Sequence, residues 1–241
     1  MAPRRTALYR PDPRNPRLRR AVVANVDVVV IVAAVREPDL RPGLIDRYLV
    51  AIEQGGAQAA LCLNKTDLED DAHAASLAAV ASLYRDLGLQ VFPCSALQSS
   101  GLDPLRQLLA GKLAALVGHS GVGKSSLINA LQPDLDLLTG SVSTEGSGRH
   151  TTTRATLYQL AGDVRIIDTP GIRELGLWQP TLDDLHEGFP DLAGAAGGCR
   201  FSNCSHSHEP GCGVQRAVEA GEVSAARYAT YRRILDSLGD G

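Results

Sequence analysis

The sequence predicts a three-layer α/β fold, in which a parallel sheet is flanked by helices. Residues 27–34 consist of Asp27 followed by an unbroken run of apolar, mostly β-branched residues, which is typical of a strand buried on both faces. Strand-like and helix-like patterns then alternate as far as residue 167, and no internal repeat is present. This alternation favours parallel strands joined by crossover helices.

The predicted elements follow one another with short connections. After the strand at 27–34 come, in order, a helix at 42–54, a strand at 59–63, a helix at 72–87, a strand at 89–93, a helix at 102–110, a strand at 113–117 and a helix at 123–131. Two further strands, 155–160 and 164–167, flank an Ala-Gly-Asp turn. Short helices follow residue 178, and residues 214–238 have the pattern of one helix.

Composition divides the chain into three parts. With 241 residues, of which 44% are hydrophobic, the chain can bury one main core and a small second module. We expect an Arg/Pro-rich arm or linker at 1–20, an α/β domain at 21–178 and a small appended C-terminal module at 179–241. The arm carries seven arginines against one aspartate, although the whole chain has a net charge of -3. Only the arm therefore has the charge of a polyanion binder.

The sequence shows neither a membrane-spanning segment nor the features of a signal peptide. No apolar run approaches the roughly 18 residues that span a bilayer, and the Arg/Pro-rich start lacks the apolar core of a signal peptide. We therefore expect a cytoplasmic protein without membrane contacts, and a monomer. Five cysteines are an odd number, and three of them lie within 14 residues. In a reducing compartment this clustering favours a metal site over disulfides.

A glycine-rich segment at 118–125, here called the phosphate loop, matches the pattern G-x4-G-K-[ST] between a predicted strand and a predicted helix. Its backbone N–H groups can surround a phosphate, Lys124 supplies positive charge, and Ser125 offers a hydroxyl to Mg²⁺. Lys124 and Ser125 are the predicted catalytic residues. The predicted nucleotide contacts here are Gly118, His119, Ser120, Gly121, Val122, Gly123, Lys124, Ser125 and Ser126.

The segment Asp168-Thr169-Pro170-Gly171 directly follows the predicted strand at 164–167. At this distance after a phosphate loop, Asp168 is expected to hold the Mg²⁺ shell together with Ser125, and the Gly171 N–H is expected to meet the γ-phosphate.

A guanine-reading motif, Asn64-Lys65-Thr66-Asp67, stands at the end of the predicted strand at 59–63. A carboxylate at Asp67 can accept from the ring N–H and the exocyclic amine of guanine, and adenine offers no such pair. An ATPase is therefore disfavoured. Asn64, Lys65 and Asp67 are predicted nucleotide contacts, and Ser95 with Ala96 is expected to place a backbone N–H on the guanine keto oxygen.

The order of the motifs is the reverse of the ordinary one, because the guanine motif precedes the phosphate loop by about 50 residues. We interpret this as a circular permutation, which surface termini permit. The segment after Gly171 then leads directly into the C-terminal module, so contacts with the γ-phosphate can move that module.

Cys199, Cys204, His206 and Cys212 form a Cys₃His set within a Gly-rich loop. Four protein ligands match tetrahedral structural zinc and leave no open position for catalysis. His208 is a competing ligand candidate.

Together these motifs resemble the RsgA family of circularly permuted GTPases. The resemblance covers roughly residues 3–238 and also includes Asn25-Val26-Asp27, Leu44-Ile45-Asp46-Arg47-Tyr48-Leu49 and Gly148-Arg149-His150-Thr151-Thr152-Thr153. It implies ribosome-stimulated GTP hydrolysis in late maturation of the small ribosomal subunit, with a zinc domain that touches ribosomal RNA. Members usually begin with an RNA-binding OB barrel. Here only the Arg-rich stretch precedes the GTPase part, so we expect the barrel to be trimmed or naturally missing.

We expect the attacking water to be positioned by a different residue from that in Ras-like enzymes. Those enzymes use a glutamine for this task, and Ile172 stands at that position here. His150 is a candidate for this task, and a solvent-exposed loop histidine is the alternative reading. One hydroxyl among Thr151, Thr152 and Thr153 is expected to reach Mg²⁺. The cofactors implied are GTP or GDP, Mg²⁺ and Zn²⁺. The rival function is a nucleotide-gated switch that binds a protein partner instead of a ribosomal particle.

Overall fold

The computed structural model describes residues 3–12, 14–15, 18–132, 156–168 and 180–237. The strands within these ranges are β1 Ala7–Pro11, β2 Arg19–Ala24, β3 Val28–Ala34, β4 Gln58–Asn64, β5 Gln90–Pro93, β6 Leu113–Val117, β7 Thr156–Leu160 and β8 Val164–Asp168. The helices are α1 Pro42–Glu53, α2 Asp71–Asp86, α3 Asp103–Leu109, α4 Lys124–Leu131, α5 Leu182–Gly188, α6 Pro190–Ala196, α7 Gly213–Glu219 and α8 Ala225–Asp236, with a 3₁₀ turn at Thr66–Leu68. None of the described helices is long and apolar enough to cross a membrane.

The chain divides into two compact units. The first comprises the described residues within Met1–Ala7, Val22–Leu40 and Ala57–Leu175, and the second those within Leu8–Ala21, Arg41–Gly56 and Gly176–Gly241. Helix α1 therefore belongs with the C-terminal module, although its neighbours in sequence, β3 and β4, belong to the first unit.

The first unit is built on a six-stranded sheet with the order β5-β4-β3-β6-β8-β7. Five strands are parallel, as predicted, and β7 runs antiparallel to β8. The sheet is therefore mixed, because the Ala-Gly-Asp turn folds β7 and β8 into a hairpin. Strand β3 lies between β4 and β6, and Val28 to Val32 are at most 1% exposed. Burial on both faces explains why this strand has no alternating polar residues.

The N-terminal segment differs from the predicted arm. Strands β1 and β2 pair in a two-stranded sheet of their own, where the composition predicted no regular structure. Leu8 is fully buried and Ala7 is 3% exposed. The segment forms a strand because Ala7 and Leu8 are buried. Its high content of arginine and proline does not indicate this burial.

The second unit has a small apolar core formed by the C-terminal helices and α1. Val50, Phe189, Leu192, Val214 and Tyr231 are fully buried in it. The single helix predicted at 214–238 is instead two, α7 and α8. Gly221 separates them with a φ of +76°, and the Ser224 side chain caps the new N-terminus by accepting from Arg227 N.

Candidate nucleotide site and metal centre

Parallel pairing brings the predicted nucleotide-binding segments to one edge of the sheet. The phosphate loop follows β6, the guanine motif follows β4, and Ser95 with Ala96 follows β5. The carboxyl ends of parallel strands share an edge, and α/β sheets bind ligands there.

Two glycines of the phosphate loop lie where a Cβ would collide with the end of a neighbouring strand. Gly118 has a φ of +148°, and a Cβ there would lie 2.2 Å from the Val32 carbonyl oxygen. Gly123 has a φ of +92°, and a Cβ there would lie 2.4 Å from Nδ2 of Asn64. Both glycines allow the loop to approach neighbouring strand ends closely.

The side chain of Lys124 donates hydrogen bonds to the backbone of its own phosphate loop. Its Nζ donates to the carbonyl oxygens of Gly118, at 2.6 Å, and His119, at 2.8 Å. Helix α4 begins at Lys124, and its N-cap, Gly123, has no side chain that could accept from the first turn. A helix N-terminus of this kind attracts anions, which suits a phosphate group.

Asn64 connects the three segments. Its side chain is 1% exposed, its Nδ2 donates to the Val122 carbonyl oxygen at 2.9 Å, and its Oδ1 accepts from Ala96 N at 3.0 Å. The sequence predicts that Ser95 with Ala96 places a backbone N–H on the guanine keto oxygen. In this structure Ser95 N donates to the Ser100 carbonyl oxygen at 3.0 Å, and Ala96 N donates to Asn64. Asn64 therefore couples the position of the phosphate loop to that of the guanine-reading segments.

Ser95 orients the carboxylate of Asp67. The buried Ser95 hydroxyl donates to Oδ1 of Asp67, and its oxygen accepts from Gln98 N at 3.0 Å. Asp67 is half-buried in the 3₁₀ turn at Thr66–Leu68. A carboxylate held in this way is preorganised to accept from a base.

Lys65 reveals a contact that the sequence analysis did not find. It adopts a left-handed backbone conformation with a φ of +67°, and its Nζ donates to the Glu37 carbonyl oxygen. The segment 35–40 after β3 is therefore part of the site's surroundings. A backbone acceptor leaves no residue-type signal, so the sequence could not identify Glu37.

Several predicted site residues have no described geometry. Asp168 ends β8, at the carboxyl edge beside the phosphate-loop strand, but its side chain lies outside the described part of the structure. His150, Thr151, Thr152, Thr153 and Gly171 also lie outside the described residues. Their roles remain predictions.

The second unit brings together Cys199, Cys204, His206 and Cys212. Nδ1 of His206 lies 3.5 Å from Sγ of Cys199 and 3.6 Å from Sγ of Cys212, and these two sulfurs are 4.0 Å apart. All four ligand atoms lie within 4.8 Å of one another. Ligands about 2.0 to 2.3 Å from a tetrahedral zinc ion would be separated by roughly 3.3 to 3.8 Å, so the cluster fits such an ion with little adjustment.

The protonation preferences of three cluster residues bear on whether they can ligate a metal ion. Burial, with the neighbouring thiols, raises the pKa of Cys204 to about 12. Burial opposes ionisation of Cys199, but backbone N–H groups of Gly213 and Val214 outweigh it and lower the pKa of this thiol. Burial, then the nearby His186, lowers the pKa of His206, which leaves the imidazole neutral and able to ligate. A raised pKa at Cys204 means that a thiolate there needs a compensating positive charge, which a bound metal ion would supply.

His208, the competing candidate, points elsewhere. It is exposed, and its Nδ1 lies 2.6 Å from the Ser207 hydroxyl. The structure therefore places His206 in the cluster and leaves His208 outside it.

Comparison with known proteins decides the family. The model of the RsgA GTPase family matches residues 1–178. The chain belongs to the RsgA GTPase family. It is 46% identical over 237 residues to a Pseudomonas aeruginosa protein named small ribosomal subunit biogenesis GTPase RsgA, covering 98% of this chain and 69% of that protein. A protein of the same name from Pseudomonas fluorescens is 45% identical, with 98% and 68% covered.

Two solved structures have the same fold as this chain. YjeQ from Thermotoga maritima superposes with a TM-score of 0.80 at 32% identity, covering 98% of this chain and 76% of that one. YloQ, described as a circularly permuted GTPase, gives 0.76 at 31% identity, with 99% and 74% covered. The circular permutation inferred from motif order is therefore confirmed, and so is the GTPase assignment. GTP, GDP and Mg²⁺ are the ligands that membership of this family implies.

Proposed function

We propose that this RsgA-family chain hydrolyses GTP at the phosphate loop and the guanine motif, and that it acts in late maturation of the small ribosomal subunit. The observation that supports the site most directly is the pair of hydrogen bonds from Asn64 to Val122 and Ala96, which joins the phosphate-binding and base-binding segments. The names of the Pseudomonas relatives supply the ribosomal part of the proposal. Such a role places the protein in the cytoplasm.

Within the site, each side chain has a distinct proposed task. Lys124 would exchange its two carbonyl partners for the β- and γ-phosphates, and Ser125 and Asp168 would hold Mg²⁺. Asp67 would read guanine, with its carboxylate oriented by Ser95. His150 would position water, and one of Thr151, Thr152 and Thr153 would complete the Mg²⁺ shell.

The partner we propose is the small ribosomal subunit with its RNA, bound by a monomer in a manner that depends on the nucleotide. The exposed Arg4, Arg5, Arg14, Arg19 and Arg20 supply positive charge for a salt-sensitive contribution to that binding. The C-terminal module would supply the second RNA contact.

GTP turnover with and without purified bacterial small ribosomal subunits tests this function. We expect slow turnover by the protein alone and an increase of more than about tenfold with subunits. Lys124→Ala should lower kcat by about 100-fold or more in both conditions, whereas Lys112→Ala, at the opposite end of β6, should not.

The same mixtures separate the proposal from its rival. A nucleotide-gated switch for another protein would hydrolyse GTP but would neither respond to subunits nor sediment with them. Our proposal requires more protein in the subunit pellet with a non-hydrolysable GTP analogue than with GDP. Turnover by Lys124→Ala at the wild-type rate would instead show that the phosphate loop is not the active site.

We also propose that the Cys₃His cluster holds one structural zinc ion. Its ligand distances, its Cys₃His donor set and its largely buried position all support this assignment. Zinc with four protein ligands would supply stability to a loop that has few apolar residues of its own.

Protein purified without added metal should contain about one zinc ion per chain. Cys204→Ser and His206→Ala should lose it, and His208→Ala is the matched control that should keep it. Elemental analysis gives the content, and near-ultraviolet circular dichroism reports the packing around Tyr228 and Tyr231. A metal-free chain with an unchanged spectrum would contradict the assignment.

A further inference from the structure

Glu209 lies in the sequence between the predicted ligands His206 and Cys212, and its carboxylate binds the backbone around His206. Its Oε1 accepts from the Ser205 N–H at 2.8 Å and from the Ser205 hydroxyl at 2.7 Å. Its Oε2 accepts from the N–H groups of Ser207, at 3.1 Å, and His208, at 3.2 Å. One carboxylate therefore holds the backbone on both sides of His206.

The carbonyl groups of the same segment are held by other side chains. The hydroxyl of Tyr228 donates to the His206 carbonyl oxygen at 2.6 Å, and that of Tyr231 donates to the Ser205 carbonyl oxygen at 3.0 Å. Arg232 donates to the Ser207 carbonyl oxygen at 2.8 Å. All three donors come from α8. The N–H groups of Ser205 and Ser207 and the carbonyl groups of residues 205–207 are thus bound by side chains that do not belong to the ligand set.

His206 needs this support because its backbone is in an unfavourable conformation. Its φ is +61°, in the left-handed region that residues with a Cβ rarely adopt. Such a conformation persists only where the surroundings over-determine it. Here it directs Nδ1 toward Cys199 and Cys212, at 3.5 and 3.6 Å.

The charge of Glu209 is part of this arrangement. Although burial opposes ionisation, the hydrogen bonds from Ser205 and from backbone N–H groups hold the pKa of Glu209 well below its usual range. At neutral pH the side chain is therefore a carboxylate, which accepts at both oxygens and donates at neither.

We propose that Glu209 is a positioning residue of the metal site, which holds His206 in its ligating conformation and so sets how long the chain retains zinc. This inference rests on the zinc site proposed above. Residues that orient metal ligands without touching the metal commonly change metal affinity by about 10- to 100-fold when they are replaced.

Zinc release to a coloured chelator in excess measures this effect on the full-length, zinc-loaded protein. Glu209→Gln keeps the size of the side chain but turns an N–H₂ group toward the N–H donors of Ser207 and His208. We expect zinc release to accelerate by about 10- to 100-fold. Glu222→Gln, an exposed residue after α7, is the matched control and should release zinc at the wild-type rate.

Cobalt substitution provides a readout that a general loss of stability would not change. In Glu209→Gln we expect altered visible absorption of the Co²⁺-loaded protein, because the His206 ligand is displaced. Tyr228→Phe is a second variant that keeps the ring and removes the donor to the His206 carbonyl, and it should also release zinc faster. It keeps the inference testable if Glu209→Gln fails to fold.

The outcomes separate the two proposals. A wild-type chain that holds no zinc overturns the metal site itself. A wild-type chain that holds zinc, with Glu209→Gln and Tyr228→Phe releasing it within about twofold of the wild-type rate, overturns the positioning role alone. A lowered melting temperature with unchanged release and an unchanged Co²⁺ spectrum likewise shows that Glu209 acts only on the fold.

Discussion

Replacement of Asp67 by asparagine is expected to abolish GTP binding and to create binding of xanthosine triphosphate. Guanine presents a ring N–H and an exocyclic amine, which a carboxylate can accept together, whereas xanthine has a carbonyl in place of the amine. An asparagine amide can donate to that carbonyl. Sites built to hydrogen-bond a base reject mismatched ligands by factors on the order of 10⁴, so GTP affinity should fall by a factor of this order.

The surroundings of Asp67 make this substitution conservative for the fold. The oxygen of an asparagine can still accept from Ser95 Oγ, which is the hydrogen bond that orients the side chain. Asp86→Asn, at the exposed end of α2, is the matched control. Calorimetric titration with both nucleotides measures the reversal. Unchanged GTP affinity in Asp67→Asn would mean that this carboxylate does not read the base.

Much of the first unit could be predicted because its signals are local. Strand β3 is an unbroken apolar run, so its position could be inferred from the sequence. The phosphate loop directly follows β6, so the nucleotide site could be assigned to the carboxyl edge of the sheet. The antiparallel pairing of β7 with β8 is explained by the short Ala-Gly-Asp turn between them. By contrast, β1 could not be predicted, because its segment is rich in arginine and proline. The strand depends on the burial of Leu8, which the sequence pattern does not indicate.

The contacts that were not predicted join residues far apart in the chain. Arg227 and Asp46 are 181 positions apart, and the acceptor for Lys65 is a backbone carbonyl. Asp46 was noted only as part of the resemblance to the RsgA family. Its partner Arg227 could not be inferred, because the sequence around either residue does not indicate that both side chains are buried in the fold.

Asp46→Ala is expected to destabilise the second unit more than any exposed substitution. Arg227 and Asp46 are each 1% exposed and form an ion pair, and Arg227 also makes two 2.8 Å hydrogen bonds to Asp191. The guanidinium lies 4.7 Å from the centre of the Phe189 ring. This cluster joins α1, α6 and α8. Loss of one partner leaves a buried charge incompletely compensated, which costs about 3 to 5 kcal/mol.

Thermal and urea unfolding of the zinc-loaded protein measures the loss. Glu53→Ala removes an exposed carboxylate from the same helix α1 and should change stability by less than about 0.5 kcal/mol. Arg227→Met in the Asp46→Ala background removes the buried guanidinium charge that has lost its Asp46 partner. Asp191 then also loses its partner, but its side chain is 15% exposed and keeps access to water. The double variant should therefore be less destabilised than the sum of the two single variants. Additive losses, or a loss below about 1 kcal/mol for Asp46→Ala, would show that the ion pair does not hold these helices together.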